Sequence, residues 1–222
     1  MDKVVITQFS DPMMGLSWEC EPALQQVVAH YGGGVELRDS MGVLVHDVAD
    51  FMTPADLALP EGEGIEAYNA RLAQIYLDEV PIGGVPVNME GFCLFASDRR
   101  SSLPLCLAYE AAKLACPEKA RPFLMRLREA TVSECRPTTK LEEIMRITRI
   151  CGIDERSFID CYRGGKAATA LEDDMLFMRR LGIRTMPAFL VESTEGAVLI
   201  RGVADDATLI RAIEAVGGKI AQ

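Results

Sequence analysis

The stretch "ITQFSDPMMGLSWECEPALQQV", residues 6–27, opens as a β-strand, turns, and closes as an amphipathic helix. Upstream, "KVVITQF" (3–9) is β-branched and apolar, the composition of a buried strand. Downstream, Leu16, Cys20, Leu24, Val27, Val28 and Tyr31 recur at helical spacing, which predicts one helix ended by the glycines at 32–34. Pro22 lies within it and predicts a kink, because proline removes a helical hydrogen bond. "VELRDSMGVLV" (35–45) supplies a second strand and a turn. Strand, helix and strand in this order make a βαβ unit with a parallel pair. The first turn of such a unit is a common place for a nucleophile. Here Met14, Gly15, Leu16 and Ser17 offer one reactive atom, the Ser17 hydroxyl.

From about 65 to 181 the pattern is helical. "IEAYNARLAQIYLDEV" (65–80) and "LPLCLAYEAAKLA" (103–115) each predict a helix. "PEKARPFLMRLREATVSE" (117–134) starts with a first-turn proline, and "TTKLEEIMRITRICG" (138–152) with a threonine cap. "DERSFIDCYRGG" (154–165) and "ALEDDMLFMRRLG" (170–182) complete the block. Strand character returns in "PAFLVE" (187–192) and "AVLIRG" (197–202), which flank the hairpin signal "STEG". "DDATLIRAIEAVGG" (205–218) predicts a last, capped helix. The expected organisation is an α/β domain from 1–64 and 182–222, ordered βαβ then ββα, with a helical domain inserted at 65–181.

Bulk properties narrow the function. The 222 residues are 49% hydrophobic and 25% charged, an ordinary globular composition. A net charge of −10 with scattered basic residues argues against nucleic acid, which needs a concentrated basic surface. No run approaches the roughly 18 apolar residues of a membrane helix. "MDKVVITQF" is too short for a secretory leader, so the expected location is the cytoplasm. The seven cysteines are odd in number, and no two lie three apart. With only His30 and His46 as histidines, no metal-ligand spacing appears, and the expected state is seven reduced thiols.

"FSDPMMGLSWECEP" (9–22) resembles the active-site segment of the DsbA-like oxidoreductases, particularly the FrnE group, whose pattern is D-P-M/L-C-x-x-C-W-x-x-E-P. Asp11, Pro12, Met13, Trp18, Glu21 and Pro22 fall on matching positions. "MGVLVHDVADF" (41–51), "GVPVN" (84–88), "SSLPLCLAYEAAKLA" (101–115) and "LGIRTMPAFLV" (181–191) resemble further stretches of that group. The resemblance implies a thioredoxin fold with a helical insertion and a cis-proline at Pro187. It also places the family's two cysteines on Met14 and Ser17, where this chain has none.

A thiol–disulfide cycle needs an attacking thiolate and a resolving thiol one helical turn away. Met14 has no ionisable proton, and Ser17 cannot resolve a mixed disulfide. Cys20 shares the apolar stripe, so it is expected to be buried and unreactive. Kappa-class glutathione transferases and chromene-carboxylate isomerases carry S-x-x-S-W at this turn. Their working serine matches Met14, whereas Ser17 matches the second serine and is expected to cap the helix. The resemblance leaves Met13, Met14, Trp18, Met186 and Pro187, with Leu16 nearby, either as a peptide-binding site or as a plug that fills a disused one. The expected function is a redox-inactive binding or adaptor module for a peptide or protein partner, with no metal and no cofactor. A related cytoplasmic group of this architecture serves as an adaptor for a protease complex. The alternatives are a glutathione-dependent transferase or isomerase using Ser17, or an oxidoreductase using a non-motif cysteine.

Overall fold

The computed structural model describes residues 3–219. Strands β1 (Val4–Ser10), β2 (Val35–Met41), β3 (Ala188–Ser193) and β4 (Gly196–Arg201) form one sheet in the order β2-β1-β3-β4. β1 pairs parallel with β2 and antiparallel with β3, and β4 closes the hairpin antiparallel to β3. This is a thioredoxin fold, with the expected βαβ and ββα halves.

Alternation along the strands builds the two faces of the sheet. Val4, Ile6, Phe189 and Val191 pack with Leu24 and Val27 of α2 (Glu21–Tyr31) and Leu209 and Ile213 of α10 (Asp206–Ala215). Phe9, Ala188 and Leu190 face the other way, against Met178 and Ile183. β1 is buried along nearly its whole length, its β-branched half Val4–Thr7 by packing and its polar Gln8 and Ser10 by hydrogen bonds to Arg128.

The helix expected from 16 to 31 is two helices. α1 runs Gly15–Glu19, Cys20 closes it, and α2 begins at Glu21 with Pro22 in its first turn. Proline has no N–H and crowds the carbonyl four residues back, so a break lets Pro22 occupy a first turn, where it costs nothing.

Between β2 and β3 lie the short α3 (Pro54–Leu57) and the long α4 (Glu61–Gly83), then α5 (Leu103–Ala115) and α6 (Ala120–Val132). α7 (Leu141–Ile150), α8 (Glu155–Arg163) and α9 (Lys166–Arg180) follow. α5 is the hub, and its buried Ala108, Ala111 and Ala112 leave room for Phe123, Leu127, Ile147 and Phe158. The threonine cap expected on α7 is absent: Lys140 stands at its N-cap, and the Thr139 hydroxyl bonds the Leu94 carbonyl instead. The helical core also takes in Met13, Val45 and Val48, so it reaches the turn after β1.

Candidate functional site

Asp11 follows the last residue of β1, and its fully buried carboxylate organises the turn. It accepts hydrogen bonds from Met13 N at 3.0 Å, Leu44 N at 2.8 Å and the Ser102 hydroxyl at 2.6 Å. Ser102 is the N-cap of α5, so one side chain ties the turn to the loop after β2 and to the helical block. Burial pushes the Asp11 pKa up, and the hydrogen bonds oppose it.

Met14 is the N-cap of α1 and supplies no side-chain cap. Its thioether is 7% exposed. Ser17 is 0% exposed, and its hydroxyl donates to the Met14 sulfur at 3.8 Å. The expected capping role is therefore not the observed one: α1 starts at Gly15, which places Ser17 inside the first turn. At the two positions where the resemblance places thiols stand a thioether and a sealed hydroxyl.

α4 lies directly over this turn. The buried Tyr76 phenol donates to the Met13 carbonyl at 2.6 Å. A Cβ on Gly15 would sit 2.1 Å from Glu79 Oε2 and 2.7 Å from the Tyr76 ring. At the far end of the crossing, a Cβ on Gly83 would sit 2.0 Å from the Glu19 carbonyl oxygen. Glycine at both points is what lets the two helices approach so closely.

Between them is a hollow of about 220 Å³, walled by Met13, Met14 and Leu16, by Leu44 and Phe51, and by Tyr68, Leu72, Ile75, Tyr76 and Glu79 of α4. It is apolar apart from Arg71 and Glu79. Burial, and then the neighbouring Glu19 charge, push the Glu79 pKa up to about 7. Glu19 is raised as well, chiefly by burial, although its Oε2 accepts from Gly83 N at 3.0 Å and Val85 N at 3.1 Å.

The Met186–Pro187 peptide bond is cis. Met186 lines a different hollow of about 370 Å³, with Gly42, Val43, Leu44, Met178 and Ile183 among its walls. The site expected from sequence is therefore divided. Met13, Met14 and Leu16 share the α4 hollow, Met186 belongs to its neighbour, and Leu44 stands in the wall of both. Pro187 is buried and lines neither. Trp18 also lines neither, and its half-buried ring packs on the helical core.

Sequence reasoning missed what Glu21 does. The fully buried Arg128 bonds Glu21 at 2.6 Å, Ser10 Oγ at 2.6 Å and Gln8 Oε1 at 3.2 Å. Arg121 bridges Glu21 at 2.7 Å and Asp39 at 2.8 Å. This network locks α6 to α2, β1 and β2 directly behind the turn. Tyr76, Glu79 and Gly83 were equally unassigned, although the apolar spacing of α4 marked a buried face.

A thioredoxin family model, Thioredoxin_5, matches residues 8–209. The chain belongs to the thioredoxin family. The ClpXP adapter protein SpxH of Shouchella clausii (strain KSM-K16) is 24% identical to this thioredoxin-family chain over 206 residues, 89% of the chain and 61% of SpxH. The chain thus spans about three fifths of the length of that curated relative. Among solved structures, a candidate protein disulfide isomerase from Nitrosomonas europaea superposes with a TM-score of 0.76 at 18% identity, covering 96% of this chain and 97% of that one. The cytosolic disulfide reductase DsbM from Pseudomonas aeruginosa, solved with GSH, gives 0.67 at 19% identity over 88% and 89% of the two chains. Both likenesses are of fold.

In this thioredoxin-family protein the thiol nearest the turn in sequence is Cys20, which is 1% exposed and packs toward the sheet. Burial pushes its pKa up, the opposite of what an attacking thiol needs. All seven cysteines are unpaired. Among the described residues no cluster of three His, Cys, Asp or Glu side chains forms a metal-binding set, and no helix is long and apolar enough to cross a membrane.

Proposed function

We propose that this chain is a redox-inactive thioredoxin-fold module that binds a peptide segment of a partner protein, as a cytoplasmic adaptor does. The observation that carries the reading is the pair Met14 and Ser17 at the two thiol positions, with Met14 forming the floor of an apolar hollow. A thioether cannot form a mixed disulfide, yet it suits an adaptable apolar pocket. The hollow has room for one large side chain, and its rim is open. The likeness to SpxH, an adapter by name, agrees with a role in holding a protein. The Met186–Pro187 loop lies on the other side of Leu44, where an extended segment leaving the hollow would continue.

The test is saturable binding of an unfolded, thiol-blocked protein, fluorescein-labelled reduced carboxymethylated α-lactalbumin, read by fluorescence anisotropy. Binding that Ile75→Asp weakens by about tenfold supports the reading, since Ile75 is a rim residue. Failure of that probe to bind contradicts it. Calorimetry with millimolar glutathione decides the alternative: heat of binding that Ser17→Ala abolishes would favour glutathione chemistry.

A further inference from the structure

The rim of the hollow continues into an exposed apolar face. Of the residues that line the hollow, Ile75 is 48% exposed and Phe51 45%, and Ile82, farther along α4, is 46% exposed. Leu72, Ile75, Glu79 and Ile82 follow one another at helical spacing, so they share a single stripe of α4. A stripe of this kind is normally covered.

The setting of that stripe is acidic. Residues 50–82 carry seven carboxylates and one guanidinium, within a chain of net charge −10. The guanidinium, Arg71, is already engaged: it bridges Asp56 at 2.7 Å and lies over the Tyr68 ring at 5.7 Å. Inside the hollow, the buried Oε2 of Glu79 has no hydrogen-bond partner among the described residues. An anionic segment would be repelled here, and a second copy of this chain would bring the same acidic face against its like.

Resting on the peptide-binding role above, we propose that this face docks a basic, apolar segment of a partner protein. One large apolar side chain fills the hollow over Met14, and flanking lysine or arginine side chains meet Glu79 and the acidic rim. Glu79 faces Glu19 and the start of α1 on one side and Tyr76 on its own helix, while Arg71 lines the same hollow. With Glu79 titrating at about 7, a lysine placed against it favours the carboxylate form. Docking of a basic segment therefore takes up no proton, releases one below neutrality, and strengthens as pH rises.

The test uses the full chain and three labelled short peptides sharing a central Leu-Phe pair, flanked by two lysines, two glutamines or two glutamates. Fluorescence anisotropy should rank them lysine, glutamine, glutamate, with about tenfold between the first two at low salt. From pH 6 to pH 8 the lysine peptide should tighten by up to about tenfold, as Glu79 ionises, and the glutamine peptide should not change. Glu79→Gln should remove the pH response and most of the lysine preference, read as the ratio of lysine-peptide to glutamine-peptide affinity in the same variant. Equal binding of the three peptides, or a lysine preference that survives Glu79→Gln, overturns the proposal and leaves peptide binding standing. If none of the three binds, the proposal falls, and the binding role falls with it only if unfolded α-lactalbumin also fails. Sedimentation showing a dimer that Ile75→Asp dissolves would make a second copy the occupant, and would also overturn it.

Discussion

The front and the rear of the α1–α2 pair are built on opposite principles. At the front, Met14 and Ser17 bring a thioether and a sealed hydroxyl to a helix N-terminus, where a thiolate would be favoured by the unpaired N–H groups. At the rear, Glu21 enters a buried network with two arginines. The front carries no ionisable group at Met14 and Ser17, the two positions where the sequence resemblance places thiols. The rear keeps full charges where they cost most to bury. Asp11 finds its partners in Leu44, Ser102 and Cys106, and Glu21 in Arg121 and Arg128 of α6, so these parts of the motif hold architecture around a turn that carries no thiol at Met14 or Ser17.

Three variants break or sharpen that contrast. The largest effect is expected at the front. Met14→Cys combined with Ser17→Cys puts two thiols one turn apart at the start of α1, and dithiothreitol-coupled insulin reduction should rise by about an order of magnitude or more. A silent double variant would show that coverage by α4, and not the missing thiols alone, closes the turn.

At the rear, Arg128→Ala leaves Glu21 buried beside Arg121 alone. It should cost about 3–5 kcal/mol in urea unfolding, the usual penalty for removing one partner of a buried ion pair. A loss under about 1 kcal/mol would mean the network contributes little to stability.

The smallest effect concerns Glu79. Its folded pKa of about 7 lies above the ordinary 4.5, so the folded state favours the neutral acid. That contribution is fully present below pH 4.5 and is lost as pH rises through about 7. Because the group is partly open to solvent, the loss is on the order of 1 kcal/mol. Glu79→Gln should flatten the decline in stability between pH 5 and pH 8, which denaturant midpoints at several pH values would record.

The fold was largely legible because its signals are local. α5 matches its apolar run at Leu103–Ala115, and the hairpin of β3 and β4 follows from two β-rich runs around a turn. The break at Cys20 was less so, since an apolar stripe continues across it and only the backbone clash of Pro22 separates the halves. The site was half legible. Met14 and Ser17 were found by their place in the motif, but what surrounds them is long-range. Tyr76 reaches Met13 from 63 residues away, and Arg128 reaches Glu21 from 107. No periodicity encodes such contacts, so α4 over the turn and the division of the hollow at Leu44 became visible only in three dimensions.

The central claim is that the turn binds and does not exchange disulfides. Insulin reduction by the unaltered chain, coupled to dithiothreitol, tests it most directly. The account predicts a rate equal to that of dithiothreitol alone, unchanged in Cys20→Ala. A clear catalysed rate that Cys20→Ala abolishes would contradict it.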